Sequence, residues 1–189
     1  MSVSGRVLIA TLCGLVLGAG THIVVILASP GLARNDAFDR LRPTLDADKA
    51  RLLSPIGGKG SWVPRPDPAA AMAACAFDLA NGPARIVIRT TPLFESLSFH
   101  AKTGGIFYAV TDRAAVRDEI AVVVMTPRQL DEARAAESDS EPATLQEVRV
   151  ISPEIQGFAI VRVVSPTPSQ SALAENAAKS VSCSIEEEG

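Results

Sequence analysis

The sequence predicts an α+β protein: one N-terminal transmembrane helix followed by a mainly antiparallel β domain with short helices. Three observations predict it. An uncharged run from Val7 to Ser29 opens the chain. Beyond residue 66, short segments alternate apolar and polar side chains between Gly, Pro and Asn, the period-2 pattern of strands that face a core. Helical patterns are few and do not alternate regularly with the strands, which argues against a doubly wound parallel sheet. The expected organisation is an anchor over 1–30, a connector over 31–66 and a β-rich soluble domain over 67–189.

At about 1.5 Å per residue the uncharged run spans roughly 34 Å, enough for a hydrocarbon core of about 30 Å. Arg6 bounds it on one side, and Pro30, Gly31 and Arg34 on the other. A cleaved signal peptide is the competing reading. Its apolar region is shorter and ends in a small-x-small site, and no clean site follows here. Ala10, Gly14 and Gly18 recur every fourth residue, and His22 continues the series. Gly14 and Gly18 form a GxxxG, a spacing that lets two membrane helices approach closely. A His inside lipid ordinarily faces protein or water. Gly14, Gly18 and His22 are therefore the candidate helix interface, with a partner helix or a second copy. The plainer reading is that small residues are common in membrane helices.

The connector has Leu41, Leu45, Leu52 and Leu53 at roughly helical spacing, broken by Pro43, and then a Gly- and Pro-dense stretch from Ser54 to Pro68. Trp62 in that stretch is a packing anchor or one wall of a cleft. Strand signals follow. "ACAFDL" runs to the turn Asn81-Gly82-Pro83, and "ARIVIRTT" comes next. "FESLSFHAK" alternates strictly, with Leu97, Phe99 and Ala101 on one face and Ser96, Ser98 and His100 on the other. Thr103-Gly104-Gly105 is a hairpin turn, and "IFYAVT" returns from it. "EIAVVVMT" is a continuous apolar run, typical of a strand buried on both faces. Thr126-Pro127 begins a short helix, and "ESDSEP" is a polar loop. "EVRVIS" and "GFAIVRVV" are the last two of about seven strands, and "SQSALAENAAKSVSC" is a closing helix capped near Ser169.

The cysteines and the charges disagree about orientation. Cys75 and Cys183 are an even pair in the soluble part, a disulfide candidate in an exported domain. Two buried free thiols in a cytoplasmic domain are the alternative. The disulfide reading places the domain in the periplasm, on a single-pass anchor in the inner membrane. Arg34, Arg40, Arg42, Lys49 and Arg51 follow the apolar run, against Arg6 before it. By the positive-inside rule that excess would hold the domain in the cytoplasm.

Composition excludes several functions. A net charge of −3 with one Trp and one Tyr supplies neither the basic surface nor the stacking rings that nucleic acid needs. One His in the soluble part and no convergent acidic motif supply no metal site. Gly57-Gly58-Lys59-Gly60 lacks the spacing of a phosphate loop, and the sequence implies no cofactor. Ser98, His100 and Asp112 are the weak catalytic candidates, since Ser and His share a strand face and Asp112 ends the neighbouring strand. No GxSxG elbow accompanies them, and outward positions on a strand are polar mainly because they are wet. The turn "VTDRAA", with Asp112 and Arg113, is a candidate lining of a ligand cleft.

"CAFDLANGPARI", "FESLSFHAKTGGIFYAVTDRAA", "VVVMTPRQL" and "GFAIVRVVSPTP", followed by a terminal Cys, resemble in order and spacing the bacterial family called domain of unknown function 1254. The resemblance covers nearly the whole chain. It implies a membrane-anchored envelope protein whose helix carries a similar His, acting beside a sister protein of domain of unknown function 1214. It implies no established reaction, and His100 departs from the aromatic residue of the family pattern. Two functional expectations follow. The first is a partner- or ligand-binding envelope module. The second is an envelope hydrolase using Ser98, His100 and Asp112.

Overall fold

The computed structural model describes residues 3–32, 36–45, 47–138 and 147–186. The polar loop expected at "ESDSEP" lies mostly outside the described residues. Two compact units result, residues 1–36 and 37–189. The first is helix α1 (Val3–Leu32), 30 residues long. Within its segment Val3–Ser29 an 18-residue stretch has a mean hydropathy of 2.1, and the segment is long and apolar enough to cross a membrane. Thr11 and Ser29 donate their hydroxyls to the carbonyls of Val7 and Val25, which satisfies both groups within the helix.

In the second unit the main strands are β2 (Ala70–Asp78), β3 (Ala84–Arg89), β4 (Glu95–Ala101), β5 (Ile106–Thr111), β6 (Glu119–Met125), β7 (Glu147–Ile151) and β8 (Gln156–Val164). A short β1 (Arg51–Ser54) precedes them and β9 (Ser182–Ile185) follows them. Helices α2 (Ala37–Leu41), α3 (Pro127–Ser138) and α4 (Ser171–Lys179) complete the unit. A five-stranded sheet has the order β1-β2-β8-β4-β5 and is antiparallel throughout. A four-stranded sheet has the order β7-β6-β3-β9, with only the β6–β7 pair parallel. The inner faces share one core, built from Ala73, Phe77, Leu97, Phe99 and Val161 of the first sheet and Ile86, Ile88, Val122 and Val124 of the second.

The α+β architecture agrees with the sequence, and three details correct it. In the connector the helical spacing holds as α2 up to Leu41, before Pro43 in a 3-10 turn, but Leu52 and Leu53 lie on β1, which pairs with β2. The closing helix stops at Lys179, and Cys183 lies on β9. Ser169 does not cap that helix: Gln170 holds the capping position without a side-chain bond. The expected start of α3 is present as a reciprocal cap. Gln129 N–H donates to Thr126 Oγ1 at 3.2 Å, and Thr126 N–H donates to Gln129 Oε1 at 2.9 Å.

Strand β2 is the centre of the unit. Eight of its nine residues are buried, and it pairs with β8 over nine positions. Its inner face packs with Ala174, Ala177 and Ala178 of α4. Its outer face, Met72, Ala74 and Ala76, packs with Phe38, Leu41, Trp62 and Phe158. Trp62 is thus a packing anchor, with the Arg40 guanidinium over its ring.

Cys75 on β2 and Cys183 on β9 form a disulfide, their Cα atoms 6.6 Å apart. The bond joins the two sheets. Replacing both residues by Ala should cost about 4–5 kcal/mol by the loop-entropy relation for a separation of 108 residues. Urea unfolding measures it, and a loss under 1 kcal/mol would reject the entropic account. Gly157 tests the packing locally, since a Cβ there would overlap the His100 carbonyl and the Phe77 ring. Gly157→Ala should destabilise by about 1–3 kcal/mol, and unchanged thermal unfolding would refute that close approach.

Candidate functional site

The outer face of the five-stranded sheet is covered over β2 and the Phe158–Ile160 part of β8 and open at Arg162 of β8 and over β4 and β5. Three cross-strand rows define the open part. Arg162, Ser96 and Thr111 form the first, Ile160, Ser98 and Ala109 the second, and Phe158, His100 and Ile106 the third. The third exists because of a bulge. Phe99 pairs with Tyr108 but His100 pairs with Ile106, so Phe107 is the extra residue. The bulge places Ile106 on the outer row, where it is 65% exposed, while Phe107 packs toward the core and Phe99.

Over these rows lies a solvent-open cleft of about 600 Å³. Its floor is Ser96, Ser98, His100, Ala109 and Thr111, and its rim includes Ile106, Arg113, Ala114 and Arg162. Volumes of this size suit a small organic ligand. His100 marks the border with the covered half. Its ring stacks on Phe158 with centroids 4.9 Å apart and planes 8° apart, and Phe158 belongs to the Phe38–Leu41 cluster. Burial holds the imidazole below its ordinary titration range, and Arg162 adds to that, against a backbone hydrogen bond at Gly104. The imidazole is therefore neutral at neutral pH. Ser98 Oγ lies 3.1 Å from its Nε2, so the hydroxyl donates when the ring proton is on Nδ1.

Ser98 and His100 are thus brought together in the cleft. Asp112 is not brought to them. It continues the β4–β5 register one position beyond the Ser96–Thr111 pair, opposite Glu95. At about 3.3 Å per residue this is roughly 16 Å along the strand from His100. The cleft-lining reading of "VTDRAA" gains support from Thr111, Arg113 and Ala114. Arg162 is the residue that the sequence reading missed. Its signal was a lone cation at an outward position of an apolar strand.

On α1, Gly14 and Gly18 share one face, and a Cβ at either would meet nothing within 4 Å. His22 is exposed one turn further on, and Cys13 is a free exposed thiol. Among the described residues, no group of three or more His, Cys, Asp or Glu is arranged to hold a metal ion.

Behind the cleft, Glu95 is 0% exposed. Thr91 donates to its Oε1 through both amide and hydroxyl, at 2.9 and 2.6 Å. Glu95 Oε2 and Asp112 Oδ1 are both buried without a hydrogen-bond partner. Burial pushes the Glu95 carboxyl above its ordinary range, opposed by Thr91 and reinforced by Asp112. The folded state therefore favours the protonated acid. That contribution is present below the ordinary glutamate value and is lost as pH rises through the raised one. Glu95→Gln mimics the protonated acid, and at pH 8 it should be more stable than the parent by about 1 kcal/mol, with the gap closing toward pH 4. Parallel urea midpoints across that range would contradict a proton on Glu95.

No family model matches the chain, and no curated protein matches it. Two of the solved structures that match part of the chain are the following. The VPA0106 protein from Vibrio parahaemolyticus matches with a TM-score of 0.48 at 11% identity, over 64% of this chain and 28% of its own. An uncharacterised protein from Burkholderia cenocepacia matches with a TM-score of 0.47 at 13% identity, over 79% of this chain and 37% of its own. The chain therefore spans well under half the length of either.

Proposed function

We propose that this chain is a single-pass protein of the bacterial inner membrane whose disulfide-bonded β domain faces the periplasm and binds a small ligand or partner in the β8–β4–β5 cleft. The observation that carries the binding reading is the cleft itself. An apolar cluster covers half of one sheet face, and the other half is a concave surface where Ser, Thr, His and Arg side chains stand among apolar ones. The Cys75–Cys183 bond supports export, since such bonds persist in oxidising compartments. The basic residues after α1 are compatible with it, because long domains translocate largely regardless of charge. Kinship with domain of unknown function 1254, and action beside a sister protein of domain of unknown function 1214, belong to this proposal. They rest on the order and spacing of the four quoted segments.

Orientation is tested in spheroplasts with an added protease. The β domain should be digested while α1 stays with carbonate-washed membranes. Protection of the domain until the membrane is lysed would overturn the periplasmic placement. The helix interface is tested through Cys13, beside Gly14. In membranes, a mild oxidant should give a Cys13-linked dimer or a crosslink to a partner, lost in Gly14→Leu/Gly18→Leu. Crosslinking unaffected by those changes would remove the glycines from any interface.

A hydrolase is the second reading, favoured by the 3.1 Å Ser98–His100 approach. Two features oppose it. Asp112 does not orient the ring, and the Ser98 backbone sits inside the ladder between Ile160 and Ala109, where no spare amides form an oxyanion hole. Hydrolysis of 4-nitrophenyl butyrate that disappears in both Ser98→Ala and His100→Ala would reverse this order of preference.

A further inference from the structure

We infer that the cleft takes an organic oxyanion, a carboxylate or phosphate group carried on a short apolar body. This deepens the cleft-binding reading above and rests on it.

The charges are one-sided. Arg113 and Arg162 are the charged residues of the lining, and no carboxylate joins them. Neither forms a salt bridge among the described residues. The chain as a whole is acidic, at −3, so two unneutralised guanidinium groups on one cleft are not a consequence of a basic composition. The nearest acids on the same hairpin do not cancel them. Glu95 lies on the core side of the sheet, fully buried, and Asp112 does not line the cleft.

The neutral groups agree. Ser96 and Thr111 stand in one row with Arg162, so two hydroxyls and a guanidinium fork stand side by side across three strands. Fork donors of this kind recognise planar and tetrahedral oxyanions. Beside them, the bulge sets Ile106 and the row above sets Ala109 on the same surface. On that side Ile106 and Ala109 offer contact to hydrocarbon, beside the neutral polar groups of Ser98 and His100. A ligand that satisfies both halves carries its charge at one end. Burial is the main cause of the lowered titration range of His100, and Arg162 adds a smaller contribution of the sign that favours anions.

The test is calorimetric titration of the full chain in nanodiscs of zwitterionic lipid. Three soluble probes are used: phenyl phosphate, inorganic phosphate and benzyl alcohol. Phenyl phosphate should bind most tightly, and Arg113→Gln/Arg162→Gln should weaken it by about tenfold or more while leaving benzyl alcohol unchanged. Arg113→Lys/Arg162→Lys should retain part of the affinity, which separates lost charge from a misfolded variant. Phenyl phosphate and benzyl alcohol binding equally, or indifference to the glutamine pair, would overturn the oxyanion class and leave the cleft reading standing. Binding of none of the probes would remove the cleft reading and this inference with it. A repeat in nanodiscs containing phosphatidylglycerol distinguishes the sources. Weaker phenyl phosphate binding there identifies a lipid headgroup as the competing oxyanion, and unchanged binding identifies a free ligand.

Discussion

The β2–β8 ladder is the constraint on which the rest of the domain depends. It runs for nine residue pairs, and five of the nine residues of β2 are alanine. A strand of small residues stabilises little by its own bulk. It does let other elements come close on both sides. On the inner side, the alanines of α4 settle against it, and Cys75 is near enough to bond to the second sheet. On the outer side, Phe38 and Leu41 reach the sheet surface and become almost fully buried. Each buried aromatic or leucine contributes on the order of 1.5–3 kcal/mol, so α2 adds real stability despite its five residues. Residues 48–50 close the far edge by hydrogen-bonding to β9.

That outer cover is short, and the cleft is what it leaves bare. The Phe38–Leu41 cluster ends at Phe158, and His100 stacks on its margin. Beyond the margin the same sheet face continues as Ser, Thr, Ala and Arg. Polar residues at those positions are ordinary for a wet sheet face. What sets this one apart is its concavity, its two unneutralised guanidinium groups and an isoleucine turned outward by a bulge. Most of the lining side chains stand on paired strands, which hold the floor in one shape before any ligand arrives, while Arg113 and Ala114 stand on the 3-10 turn after β5. On the opposite side of the same hairpin, Glu95 keeps its acid in the core beside Asp112. The turn that bears Arg113 therefore begins at the half-buried Asp112, beside the buried Glu95.

Much of this was legible from the chain. The period-2 alternation at Glu95–Ala101, the Gly104 turn and the apolar run of β6 each reflect local chemistry, and each element formed where the pattern placed it. The even cysteine pair was legible as a disulfide, although the two cysteines had been expected to tie a helix to a strand rather than one sheet to another. Three elements were not legible. β1 is four residues inside a Gly- and Pro-rich connector, and β9 is four residues after a helix. Both are too short for a period to emerge, and both exist because a partner strand was waiting. Phe107 gave no local sign of its bulge, since its neighbours alternate as if the ladder were regular.

The candidate site divides along the same line. The strand face bearing Ser96, Ser98 and His100 follows from the side-chain period of β4, and the sequence by itself determined it. The sequence also determined an apolar N-terminal helix long enough for a bilayer, because length and hydropathy are summed along the chain. Only the tertiary structure decided that β8 lies between β2 and β4, and with it that Arg162 stands in line with Ser96 and Thr111. Only the tertiary structure placed Asp112 away from His100 and turned Ile106 outward. Strand order and register are set by non-local pairing, in which residues tens of positions apart compete for the same edge. The side chains of the cleft could therefore be read one strand at a time, but their meeting could not.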